Sequence, residues 1–192
     1  VQLGMWDRVV NSNIESYAAA VATIEKVGGA AGREDFHALE WLEYGNLMLG
    51  NIENARDNLS TALATVEKNK ESKRVYNGYL RMKARYLIET GEWEDLDLMD
   101  VDTPEGSNLN WVNAVGMSAA YRGDNEIVEA VLSRLKDFEN KALSSGATYN
   151  AIRISIIAKQ VAAIAKLVAG DIETAVALAE QATVTELEKM QT

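Results

Sequence analysis

Apolar positions in this chain recur at the three- and four-residue spacing of helices, not at the two-residue spacing of strands. Val112, Val115 and Ala119 run up to Gly123, and Leu80, Ala84 and Leu87 run up to Gly91, each set marking one helix face. Continued along the chain, the pattern predicts nine helices, at about 5–27, 33–49, 52–68, 73–89, 92–101, 107–122, 124–143, 148–169 and 171–190. Polar or glycine-containing stretches separate them at 27–32, 68–73, 102–108 and 144–147. No alternation long enough for a strand competes, so the fold class is all-α.

Five stretches share one outline: "LGMWDRVV" (3–10), "LGNIENAR" (49–56), "TGEWEDLD" (90–97), "RGDNEIVE" (122–129) and "AGDIETAV" (169–176). Aligned on Gly4, Gly50, Gly91, Gly123 and Gly170, they carry an acid three residues on: Asp7, Glu53, Glu94, Glu126 and Glu173. Five residues on, Val9, Ala55, Leu96, Val128 and Ala175 are all apolar. Glycine accepts the left-handed conformation that stops a helix. The acid falls in the first turn of the next helix, where the macrodipole is positive. Small residues seven positions before the glycine, Ala84 and Gly116, allow a neighbouring helix close. The repeating unit is therefore an antiparallel helical hairpin with a tight turn.

Composition narrows the function more than the fold. Of 192 residues, 47% are hydrophobic and 25% charged, enough for a sizeable core. A net charge of −10 makes a nucleic-acid backbone an unfavourable partner. No stretch is apolar enough for membrane insertion; the most apolar, 151–170, carries Arg153, Lys159 and Lys166. The absence of cysteine excludes disulfides and thiolate sites. The chain opens on Val1 inside a repeat-like unit, so it is expected to be part of a longer protein.

Catalytic chemistry finds little support. The one histidine, His37, has no cysteine to pair with, and no serine sits in a G-x-S-x-G elbow. There is no phosphate-cradling G-x-x-x-x-G-K, and "GGAAG" lacks the strand a dinucleotide fingerprint needs. The acidic run "EWEDLDLMDVD" (92–102) falls on a predicted helix, not in the glycine-centred loop of a calcium site, and reads as a solvated face. The basic run from Lys68 to Arg85 precedes it and is expected to pair with it. Trp6, Trp41, Trp93 and Trp111 are read as hairpin-packing aromatics. No catalytic residue, metal site or cofactor is predicted.

The glycine turn, followed by an apolar residue and then a small one, resembles the tetratricopeptide repeat. The second unit fits best, with Leu42, Gly50, Ile52, Ala55, Leu59 and Ala62. "LGMWDRVVNSN", "HALEWLEYGNLMLGNIENA" and "YRGDNEIVEAVLSRL" are similar to a broad bacterial group of tetratricopeptide-containing proteins of unassigned function. The resemblance covers essentially the whole chain, although most units are longer than the roughly 34-residue standard. It implies one domain over 1–192, an α-solenoid of stacked hairpins coiled as a right-handed superhelix. Its units would span about 1–30 (partial), 31–71, 72–104, 105–146 and 147–192.

The resemblance also implies a concave groove lined by the first helix of each hairpin. Carried onto this chain, its positions are His37, Glu40, Tyr44, Leu47 and Met48 in the second unit, then Arg81, Arg85 and Glu89 in the third. Asn110, Asn113, Met117 and Tyr121 follow in the fourth, and Gln160 in the fifth. Arg81 and Arg85 lie one turn apart and, with Asn110 and Asn113, could clamp a carboxylate, unless Glu40 or Glu89 already engages them. The expected function is a non-catalytic scaffold that binds a protein or peptide segment, carboxylate-bearing if the clamp is open. The alternative is a small-molecule- or glycan-binding sensor that uses the same groove.

Overall fold

The computed structural model describes residues 4–29, 32, 34–96, 98 and 107–190. Among these residues the fold is all-α, with no strand. Eight helices follow one another: α1 Trp6–Val27, α2 Glu34–Met48, α3 Ile52–Lys68, α4 Lys73–Thr90, α5 Ser107–Arg122, α6 Asn125–Ser144, α7 Thr148–Val168 and α8 Ile172–Lys189. The chain divides into two compact units, Val1–Gly91 and Glu92–Thr192, with α1–α4 in the first and α5–α8 in the second.

The recurring glycine has the predicted physical basis. Gly4, Gly50, Gly91, Gly123 and Gly170 all have positive φ, between 66° and 83°. At Gly50 two bonds close the helix end, Gly50 N–H to Leu47 O at 3.0 Å and Asn51 N–H to Asn46 O at 2.9 Å. The same pair recurs at Gly123, Gly146 and Gly170, so each is a Schellman turn that satisfies carbonyls a helix end would leave unpaired. Gly146, which the five-fold alignment did not include, makes the turn between α6 and α7. The residue after the glycine then caps the next helix. Asp124 accepts from Ile127 N–H at 3.2 Å, and Asp171 from Thr174 N–H at 3.3 Å. Hydrogen bonds from the Thr174 side chain and backbone N–H hold the Asp171 carboxyl below its ordinary titration range. The predicted first-turn acids fall in place at Asp7, Glu53, Glu126 and Glu173.

The expected helix over 92–101 does not form in the described part of that stretch. Residues 92–96 and 98 are irregular; Asp97 and residues 99–101 lie outside the described residues. This segment is tied to α5 instead. Ser118 Oγ donates to the Glu94 carbonyl, and Asp95 meets Arg122 at 3.4 Å. Trp93 stacks on Tyr121 with ring centroids 4.7 Å apart, and Leu96 is buried. Its apolar residues find cover, and at least one carbonyl a donor, without a helix of their own.

In the first unit α1 packs on α2, α2 on α3, α3 on α4, and α2 on α4. One cluster joins Phe36, Leu39, Ala62, Val75 and Met82; another joins Leu47, Ala55 and Tyr86. Leu47 is thus core and not a groove residue, and Met48 packs against the same cluster. In the second unit α5, α6 and α7 meet pairwise and α8 lies on α7. Gly116 is where α5, α6 and α7 come closest: a Cβ there would meet Val131 Cγ1 at 2.8 Å and Val161 Cγ2 at 2.9 Å.

Two substitutions test this packing. Ala55 is fully buried, so Ala55→Arg is expected to cost about 3 kcal/mol or more by burying an unpaired charge. Gly116→Ala, which crowds two valines, should cost about 1–3 kcal/mol. Thermal melts followed by circular dichroism read both, and an unchanged midpoint for either would mean that the packing register described is wrong.

Candidate functional site

The expected groove residues fall in both units. Glu40 and Tyr44 on α2 lie with Arg81 and Arg85 on α4 in the first, while Asn110, Asn113, Met117 and Tyr121 on α5 and Gln160 on α7 lie in the second. On α5 the four residues recur along one strip of a helix otherwise largely buried. Tyr121 is exposed and Asn110, Asn113 and Met117 half-buried, and Gln160 is exposed on α7. His37 is exposed near the start of α2.

The four residues that α2 and α4 bring together form a closed electrostatic cluster. Arg81 pairs with Glu40. Arg85 Nη1 donates to the Glu40 carbonyl at 3.1 Å and to Glu43 Oε2 at 3.3 Å, and its guanidinium lies over the Tyr44 ring at 4.8 Å. Of the two alternatives, an open carboxylate clamp or arginines engaged by Glu40 or Glu89, these helices build the second, at Glu40. Both guanidiniums already have carboxyl and carbonyl acceptors on α2, because tight α2–α4 packing sets the two charged rows face to face. Phe36 packs so closely on Gly78 that a Cβ there would meet the ring at 2.6 Å. The expected pairing of the basic run with the acidic run is replaced, for these two arginines, by pairing with α2.

Glu43 is the residue that the reading of the sequence passed over. Its side chain is 0% exposed and its Oε1 has no hydrogen-bond partner among the described residues. Burial is the main cause that raises its pKa to about 8; Glu40 and Glu89 push the same way, and Arg85 opposes them. The contact with Arg85 has ion-pair geometry, yet lost hydration outweighs the guanidinium, so the carboxyl is mostly protonated at neutral pH. A signal was present. Glu43 stands seven positions before Gly50, where Gly91, Gly123 and Gly170 of the alignment are preceded by Ala84, Gly116 and Ala163 and Gly146 by the half-buried Glu139. Among the five aligned stretches, a glutamate in a column of close-packing small residues was the one exception worth weighing as a buried carboxyl.

Tyr44 also begins a chain of aromatic contacts. Trp6 meets it edge-on at 5.2 Å, Trp41 lies 6.0 Å away, and His37 meets Trp41 edge-on at 6.4 Å. These rings fix the α1–α2 face with side chains two elements share.

Among the described residues, no group of three histidine, aspartate or glutamate side chains could hold a metal ion. Asp97, Asp100 and Asp102 of the acidic run lie outside them. No helix among the described residues is long and apolar enough to cross a membrane. In comparisons with protein families, curated proteins and solved structures, the chain matches none.

Glu43 makes stability depend on pH in a definite direction. Its folded pKa lies above the ordinary 4.5, so its contribution is full below about pH 4.5 and is lost as pH rises toward 8. The slope is at most about 1.4 kcal/mol per pH unit. Glu43→Gln keeps the shape and removes the titration. Denaturant titrations from pH 5 to 8 should therefore show a variant whose advantage over the parent grows with pH. Parallel pH profiles for the two proteins would refute the assignment.

Proposed function

We propose that this chain is a non-catalytic binding scaffold of the tetratricopeptide type, a right-handed α-solenoid whose first helices offer a groove to a protein or peptide segment. The observation that carries the reading is one turn used repeatedly. Schellman glycines join α2 to α3, α5 to α6, α6 to α7 and α7 to α8, and α2 packs on α4 as α5 packs on α7. Contact between alternate helices is what a stack of hairpins requires, since each hairpin then buries the apolar face its neighbour leaves open.

The groove side chains suit a peptide. Met117 adapts its shape to an apolar side chain, Asn110 supplies both a donor and an acceptor for main-chain groups, and Tyr121 offers an exposed ring already stacked on Trp93. With Arg81 and Arg85 held by Glu40 and Glu43, a bare carboxylate is no longer the favoured anchor. Recognition rests on apolar and hydrogen-bonding contacts along α5.

A peptide array screened with the labelled protein supplies ligands for calorimetric titration. The double variant Met117→Ala/Tyr121→Ala should weaken binding by roughly tenfold or more, as loss of an aromatic anchor does, with helicity unchanged. Array ligands that bind parent and variant alike, or a protein that binds no peptide while metabolites raise its melting temperature, would reject the scaffold reading.

A further inference from the structure

A cleft of about 400 Å³ opens between the start of α1 and the middle of α2, lined by Met5, Arg8, Val9, Ser12, Asn13 and Trp41. The five residues from the α1 side recur at three- and four-residue steps, so they form one continuous strip facing Trp41. None of the six belongs to the groove described above.

Their chemistry is specific. Arg8 is exposed and makes no ion pair among the described residues, whereas Arg81, Arg85 and Arg122 are all engaged by acids. On a chain of net charge −10, an exposed cation with no ion pair among the described residues, lining the same cleft as an indole, offers a place for an anion. Asn13 Nδ2 donates to the Val9 carbonyl at 2.8 Å. That bond fixes the carboxamide and leaves its oxygen as an acceptor, and Ser12 brings a hydroxyl to the same cleft. Trp41 is held from one side by Tyr44 and from another by His37, so its ring is a positioned platform.

We propose that this cleft binds an acidic saccharide, a sugar ring that carries a carboxylate. The carboxylate takes charge-assisted hydrogen bonds from Arg8. Ring hydroxyls donate to Asn13 Oδ1 and Ser12 Oγ, and the C–H face of the ring lies on the Trp41 indole with Met5 and Val9 at its edge. A flat aromatic acid would satisfy Arg8 and Trp41 but leave the two acceptors without donors. A neutral sugar would leave Arg8 without its counter-charge. The proposal concerns a different surface from the peptide groove, so either reading can fail without the other.

The test titrates the full chain with trigalacturonate, maltotriose and benzoate, following the ¹⁵N–¹H signals of the four tryptophan indoles, with the Trp41 signal identified from Trp41→Phe. Trigalacturonate should shift the Trp41 signal at millimolar concentration or below, and maltotriose and benzoate should bind roughly tenfold more weakly. Arg8→Gln, a change at an exposed position that leaves the fold intact, should bring trigalacturonate down to the level of maltotriose. It should also flatten the weakening of binding by salt. Equal binding of trigalacturonate and maltotriose to the parent, benzoate binding as tightly as trigalacturonate, or a Trp41 signal that no ligand moves would each overturn the proposal.

Discussion

A helix that stops at a left-handed glycine and restarts after a single further residue has one course open to it: it turns back along the helix it has just left. Everything else described here depends on that reversal. Two helices forced together by so short a turn must pack along their length, and their axes come within reach only if small residues stand where backbones are closest. Ala84, Gly116 and Ala163 occupy that position seven residues before three of the turn glycines, and all three are buried. The glycine turn and the small-residue column are one constraint seen at two places on the same helix.

Glu43 occupies the same column and breaks its rule. A carboxylate buried there would cost several kcal/mol as an isolated ion, and the site answers in two ways. Arg85 supplies a donor and a positive charge 3.3 Å away, and the carboxyl retains its proton to about pH 8. Neither answer is complete, since Oε1 remains without a partner among the described residues. Arg85 is in turn steadied by the Glu40 carbonyl and the Tyr44 ring. The two arginines, which alone look like a site for an outside anion, are instead the local counterweight to acids that packing has drawn inward.

The extent to which this was legible in the sequence follows from the range of each interaction. The glycine turns depend on residues within one helical turn, so those at Gly50, Gly123 and Gly170 were readable by alignment, and the buried faces of α4 and α5 followed from spacing alone. The stretch from 92 to 98 was misread because its outcome is decided by residues distant in the chain. Ser118, Tyr121 and Arg122 offer it a donor, a ring and a cation that no local rule could supply. The pairing of Arg81 with Glu40 spans 41 residues; Glu40 was readable as one candidate partner, with Glu89 and the acids of 92–102 as others, and no local rule chooses among them. Glu43 was visible only as an exception to a pattern, which requires the pattern to be established first.

The same reasoning separates informative charges from ordinary ones. With 29 acidic and 19 basic residues, most cations here have carboxylates to meet, and a cluster of arginines is weak evidence for a ligand. Availability, not number, is what counts: a guanidinium already bonded to Glu40 or Glu43 can serve an incoming anion only by giving up those bonds, which cancels most of the gain. Arg8 has no ion pair to give up among the described residues. It sits on a helix with no fully buried residue and lines a cleft with an indole held by neighbouring rings. A guanidinium bonded to neighbouring acids serves the fold, whereas one that lines a cleft with no ion pair among the described residues is available to a ligand.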